Sequence, residues 1–241
     1  MDIAMMRAAD RESALYAQRR KGYSSVPRTR GGAVMGEMKY FDTRLAATAI
    51  PSVAAWTGTE FDPTTYLTLC VPVVGAAINQ RIGRSIKIVK IRVRGQIRTE
   101  KKDEATGQNA SQIRLALVQD MQTNATQAQG EQVFTATTTA NEAPLAMQNI
   151  DSFGRFRVLK DQTFNIGNPS AITSAGAEVN GLVTSFKWNV TFSTPVEVRF
   201  NATNGGTIAD IVDNSFHIMA NANGIELAPT ICYVARVCYK E

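Results

Sequence analysis

The chain is short of the residues from which catalytic and metal sites are usually built. Its 241 residues include one histidine, His217, and three cysteines, Cys70, Cys232 and Cys238, none of them in a CxxC pair. An odd cysteine count without that spacing excludes a zinc ribbon and a thioredoxin-type centre, so buried free thiols are expected. His217 falls in the middle of a strand pattern where the spacing implies no partnering Ser or Cys, so a structural role is expected. No Gly-rich phosphate loop of the Walker or dinucleotide type occurs. Asp103, Glu104, Asp151, Asp161, Asp210 and Asp213 show no spacing that selects a glycosidase pair, and residues 210–214 carry oxygen ligands without the spacing of a calcium loop. These shortages predict no cofactor, no metal and no enzymatic activity.

Long apolar runs are missing as well. The longest, residues 70–78, is broken by Pro72 and Gly75 and falls far short of the roughly 20 residues that span a bilayer. Arg7, Asp10, Arg11 and Glu12 stand where the apolar core of a secretory leader would lie. A soluble chain made in a reducing compartment, with no membrane partner, is therefore expected. No internal repeat of fixed period appears, which argues against a propeller or solenoid. The only tryptophans are Trp56 and Trp188; a carbohydrate-binding sandwich, the alternative reading, would need aromatics such as these exposed on one sheet face. A third reading, a sandwich hydrolase, would have to depend on His217.

What the chain does have is alternation. In RSIKIVKIRVRGQIRT, residues 84–99, Val89, Ile91, Val93 and Ile97 alternate with Lys90, Arg92, Arg94 and Arg98. That period of two predicts a half-buried strand with one apolar and one cationic face. Ile86 and Ile88 are in the opposite phase, which predicts a register change near Ile88 and Val89, as at a bulge. Further strands are expected at 38–50, 65–74, 113–120, 155–164, 186–192, 196–201, 214–221 and 230–240, with residues 113–120 pairing to the strand before them. In FKWNVTF, Phe186, Trp188, Val190 and Phe192 share one face. Residues 121–147, polar and rich in Thr, Ala and Gln, predict an elaborated surface loop with a short helix or strand. Turn signals occur at Asn180-Gly181, Asn204-Gly205-Gly206 and Asn223-Gly224. Eight or nine strands with long, uneven loops predict an all-β fold, a single jelly-roll or Greek-key β sandwich.

Charge divides the chain in two. Residues 1–36 hold seven basic side chains and three acidic ones, leaving 19 basic against 18 acidic in residues 37–241. Asp2 as N-cap, Arg19, Arg20 and Lys21 in the last turn and Gly22 beyond it predict a helix over about 3–21. A Gly/Ser/Arg linker follows to residue 36. The chain thus reads as a basic N-terminal arm, 1–36, before a nearly neutral jelly-roll domain, 37–241. Arg7, Arg11, Arg19, Arg20, Lys21, Arg28 and Arg30 are the expected nucleic-acid-binding residues, acting on phosphates without regard to sequence. Tyr16 and Tyr23 lie among them, where they could stack on bases. Lys90, Arg92, Arg94 and Arg98 form a second tier of nucleic-acid-binding residues, with carboxylates of neighbouring strands or subunits expected to answer their charge and genome contact as their secondary role.

The segments MKYFDT at Met38, WTG at Trp56, RIGRSIKIVKIRVRGQI from Arg81, RLALVQD from Arg114 and RFRVLKD from Arg155 resemble the jelly-roll capsid proteins of circovirus-like circular single-stranded DNA viruses. Their order is also similar to that in the coat protein of satellite tobacco necrosis virus. The resemblance covers about 38–240. It implies a homo-oligomer of sixty copies in a small T=1 icosahedral virion and a packaged single-stranded genome. That genome would be DNA, with RNA an alternative cargo in recombinant particles. It also implies a host-cell receptor and passage through the host nucleus during assembly. Circovirus arms are denser in arginine than this one. A helical arm gathered at a symmetry axis, as in the satellite-virus coat protein, suits the sequence better.

Overall fold

The computed structural model describes residues 37–52, 56, 68–98, 112–166, 183–223 and 228–241. The expected arm helix and linker lie outside these residues, as do residues 57, 58 and 101–111. Within them the chain forms β1 (Lys39–Ala49), β2 (Ser85–Arg98), β3 (Gln112–Asp120), β4 (Phe156–Asn165), β5 (Val183–Phe200), β6 (Ile211–Asp213), β7 (Ser215–Ala222) and β8 (Thr230–Lys240). One antiparallel sheet has the order β1-β8-β2-β5-β6 and the other β4-β3-β7. An isolated antiparallel bridge from Leu69 to Phe216 continues the second sheet beyond β7. In chain order the path therefore runs from β1 to Leu69 in the opposite sheet, back to β2, across to β3 and β4, back to β5 and β6, across to β7 and home to β8. A sandwich whose hairpins fold over into a second layer in this way is a jelly roll.

The apolar phase of each strand fills the space between the sheets. Ile86, Ile88, Ile91, Val93 and Ile97 of β2 are fully buried, as are Ile231, Ala235, Val237 and Tyr239 of β8. Trp188 crosses the core, and its indole N–H donates to Gln162 Oε1 of β4 at 2.9 Å. The register change expected near Ile88 is a bulge. Ile88 and Lys90 pair with the consecutive residues Tyr239 and Cys238 of β8, leaving Val89 unopposed. On the other side Ile88 pairs with Val196 and Lys90 with Thr191, so residues 192–195 of β5 loop out against the same Val89. The two strands expected at 186–192 and 196–201 are thus one 18-residue strand with Pro195 in its bulge, where a missing N–H costs no ladder bond.

Three other expectations are corrected. Residues 113–120 do not pair with the strand before them; β3 lies in the other sheet, between β4 and β7. The strand expected at 65–74 is, over its described part, two isolated bridges, at Leu69 and at Val74. Cys70 has φ +66°, and the buried Arg81 side chain donates to the carbonyls of Pro72, Gly83 and Thr203. Among the thiols, Cys70 and Cys238 are buried but Cys232 is half-exposed.

β3 is buried on both faces because residues 121–153 fold over its outer side as a lobe. A single helical turn at Gly130–Val133 and 3-10 turns at Ala140–Leu145 and Ile150–Ser152 build it. Trp56 anchors it, with Nε1 donating to Ala143 O at 2.9 Å and its ring 4.4 Å from that of Phe134. Arg114, in the outward phase of β3, pairs with Asp161 through Nε at 2.9 Å and donates from Nη1 to the carbonyls of Pro144 and Ala146. Its guanidinium lies 4.5 Å from the Phe134 ring centroid. A buried arginine is kept here by the carboxylate, carbonyls and aromatic ring that receive it.

Candidate nucleic-acid interface

Of the expected binding residues, Arg7, Arg11, Arg19, Arg20, Lys21, Arg28 and Arg30 lie outside the described residues. Lys90, Arg92, Arg94 and Arg98 all belong to β2, with Arg92, Arg94 and Arg98 exposed and Lys90 half-exposed on the outer face of the five-stranded sheet. The strand register supplies their neighbours. Arg92 stands opposite Arg236 of β8 and Asn189 of β5, and Arg94 opposite Val234 and Lys187. Lys90 faces Cys238 and Thr191, and Arg98 faces Thr230 and Val183. None of these positions is acidic.

The Val89 bulge separates two kinds of surface. On the side toward Ser85, Lys87 stands between Glu197 of β5 and Lys240 of β8, so an acid faces it on one side, and Arg199 forms an ion pair with Asp213. On the side toward Arg98, Lys90, Arg92, Arg94, Arg98 and Lys187 form no ion pair among the described residues, and Asp42 of β1 is taken by Arg236. The carboxylates expected to answer the β2 cations are therefore not on the adjoining strands of this chain. Like charges directly opposite each other across a ladder destabilise it, yet two such pairs, Arg92 with Arg236 and Arg94 with Lys187, occupy adjoining outward rows. Lys187 and Arg236 were not singled out by the sequence. Each is visible there as the polar phase of its strand, but which strands adjoin is not.

Between the outward row of Arg94 and that of Gln96 the sheet is hollowed into a groove of about 550 Å³. Arg94, Lys187 and Val234 line one side, Gln96, Ser185 and Cys232 the other, and Gly95 lies in its floor. Gly95 leaves no room for a side chain: a Cβ there would fall 2.5 Å from the Phe186 ring and 2.7 Å from the Cys232 carbonyl oxygen. The groove's lining is mostly apolar, with Leu45, Phe186 and Tyr233 among its residues, and Arg94 and Lys187 supply its charge; such a cation-flanked groove can hold an extended polyanion, with phosphates over the guanidinium and ammonium groups.

No protein-family model matches the chain, and no curated protein sequence matches it. Among solved structures it is similar to dimeric latent PorU from Porphyromonas gingivalis, with 10% identity, 88% of this chain covered and a TM-score of 0.33. It is also similar to a chain of the T13 IBDV viral particle, with 9% identity, 88% covered and a TM-score of 0.18. The chain spans 14% of the PorU chain and 43% of the viral-particle chain. At these scores neither likeness carries weight; the topology and residues above do.

The remaining sequence candidates fall inside the structure. His217 does have a serine neighbour: Ser215, two residues earlier on the same strand face, has Oγ 2.7 Å from His217 Nε2 and receives Thr123 Oγ1 at 2.8 Å. An i, i+2 pairing on a strand was legible and was missed. Both residues are buried, at 1% exposure, which denies a substrate access. The nearby Asp120 carboxylate is bonded to Arg155 Nε, Arg155 Nη2 and the Gln122 N–H, while His217 Nδ1 has no partner among the described residues. Burial lowers the imidazole pKa to about 4, with Asp120 opposing and Arg155 adding to the shift. Asp210, the first of the oxygen-bearing residues 210–214, organises its loop. Burial opposes its ionisation, but bonds from the Thr203 hydroxyl and the Thr207 and Gly206 N–H groups outweigh it and hold its carboxyl below the usual range. Trp56 and Trp188, on which an aromatic sugar platform would rest, are 0% and 5% exposed. No helix among the described residues is long and apolar enough to cross a membrane.

Proposed function

We propose that this chain is a structural capsid protein whose jelly roll self-assembles into a small icosahedral shell and packages single-stranded nucleic acid, with no enzymatic activity. The observation that supports the nucleic-acid role is the excess of cations on one half of the five-stranded sheet, where Arg94 faces Lys187 with no carboxylate paired to either and Arg92 faces Arg236, of which only Arg236 is paired, with Asp42. A chain that retains such pairs gives up stability unless an anion from outside neutralises them. A packaged polynucleotide supplies that charge along its length. The seven cations of residues 1–36 add to it, so phosphate binding is shared between the arm and the sheet. Self-assembly, sixty copies, a circular single-stranded DNA genome, a virion location and a nuclear stage rest on the resemblance of the sequence segments and on the jelly-roll topology, a fold that by itself serves many functions. Negative-stain electron microscopy of the purified full-length chain tests the assembly part. Uniform closed shells are expected; a monodisperse monomer at every salt concentration and pH contradicts it.

A further inference from the structure

Two exposed apolar surfaces carry opposite charge. The first is on the lobe outside the three-stranded sheet, where Leu145, Met147, Ile150 and Phe153 are 65 to 84% exposed within nine residues of chain. Residues 121–154 contain Glu131, Glu142 and Asp151 and no lysine or arginine, and all three acids are exposed. The second surface lies at one end of the five-stranded sheet, where Val74, Ile78 and Ile82 are 44, 56 and 68% exposed. The Ile78 carbonyl accepts from the Tyr40 N–H of β1, and the Gln80 carbonyl accepts from the Tyr239 hydroxyl of β8. Residues 71–90 contain Arg81, Arg84, Lys87 and Lys90 and no acid. Arg81 is buried in the loop, and Arg84 and Lys87 are exposed. Glu241 reaches this surface but is occupied by the Lys39 ammonium and the Ile82 N–H.

The two surfaces cannot satisfy each other within one chain. Arg114 ties the lobe to the outward face of β3, whereas the Val74–Ile82 surface is fastened to β1 and β8 of the opposite sheet. Clustered apolar side chains at such exposure mark an interaction site. Their rims decide the partner: an acid-rimmed patch and a base-rimmed patch on the same chain complement each other between copies.

We propose that these surfaces form a head-to-tail subunit contact, in which the acidic lobe of one copy docks on the Val74–Ile82 surface of the next. The contact rests on the assembly reading above and adds which faces meet. It is heterologous, so it closes into a ring when the rotation per subunit allows. Charge reversal on the full-length chain tests it. Asp151→Lys and Arg84→Glu each raise the concentration needed for shell formation by about tenfold, a like-charge penalty across an interface, and the chain carrying both substitutions assembles like the parent. Ile150→Ser, which leaves charge unchanged, also raises that concentration. A thermal melt of each variant reports whether the fold is retained, and all three sites are exposed. If the parent forms shells but the double reversal is no better than its worse component, the pairing is overturned and assembly stands. If Arg84→Glu has no effect, the lobe's partner is another surface, such as a basic arm, and the proposal fails. A parent chain that never assembles removes both readings.

Discussion

The guanidinium of Arg236 forks onto the carboxylate of Asp42 across the β1–β8 pair, with Nε 2.7 Å from one oxygen and Nη2 2.6 Å from the other. The hydrogen bonds from Arg236 hold the Asp42 carboxyl below its ordinary range. On its other side Arg236 stands opposite Arg92, so Asp42 neutralises one member of a like-charged pair. Asp42→Asn returns that charge to the cationic face. Affinity for single-stranded DNA should rise, and its dependence on log salt should steepen by about 0.7, the increment for one added phosphate contact. Fluorescence anisotropy over a salt series measures both, and an unchanged slope would count against phosphate binding on this face.

Arg92→Gln and Arg94→Gln should act in the opposite sense. Each makes the same salt dependence shallower by about 0.7 if it neutralises one phosphate on a single strand. Neither should lower the denaturation midpoint, because each removes a like-charge cross-strand pair. A loss of stability with no change in slope would make these arginines structural.

Gly95→Ala tests the close approach beneath the groove. The added Cβ meets the Phe186 ring at 2.5 Å and the Cys232 carbonyl at 2.7 Å, and the second neighbour is backbone of β8. The sheet must shift, at a cost of about 1–3 kcal/mol, read as a lower urea midpoint. A wild-type midpoint would mean the β2–β8 pair is looser than the register implies.

His217 should give the fold an acid-sensitive limb. Its pKa falls from the ordinary 6.5 to about 4 in the folded chain, chiefly through burial, so between those values the unfolded chain binds the extra proton. Stability is then greatest above pH 6.5 and declines as the pH falls toward 4, by about 3 kcal/mol in all. His217→Leu should flatten this limb, at the cost of the Ser215 contact. Urea titrations at pH 7, 6, 5 and 4, on the order of one unit apart across the window, decide it; an unflattened limb would assign the acid sensitivity elsewhere.

Much of the fold was legible from period alone. The opposite phases of Ile86, Ile88 and Ile91, Val93 located the bulge, and the cationic phase of β2 was placed outward. What period cannot supply is partnership. β2 and β3 are consecutive and both alternate, yet a jelly roll sends them to different sheets, so the expected pairing failed. Arg94 reads the same whether its neighbour is an acid or Lys187, and overall charge balance suggested an acid where the register supplies a cation. Arg114 shares its strand phase with Ala116 and Val118, and the lobe that covers that phase is polar and carries no strand period, so its burial is not legible in the sequence. Ser215 lies two residues from His217 and needed only the strand rule to be found.

The most direct test of the central claim is sedimentation of the purified full-length chain after nuclease treatment, with the ultraviolet spectrum of the fast-sedimenting fraction. The capsid account predicts a uniform fast boundary carrying nuclease-protected single-stranded nucleic acid, reduced when Arg92, Arg94 and Lys187 are all replaced by Gln. A fast boundary free of nucleic acid, or a slow monomer boundary under all conditions, would contradict it.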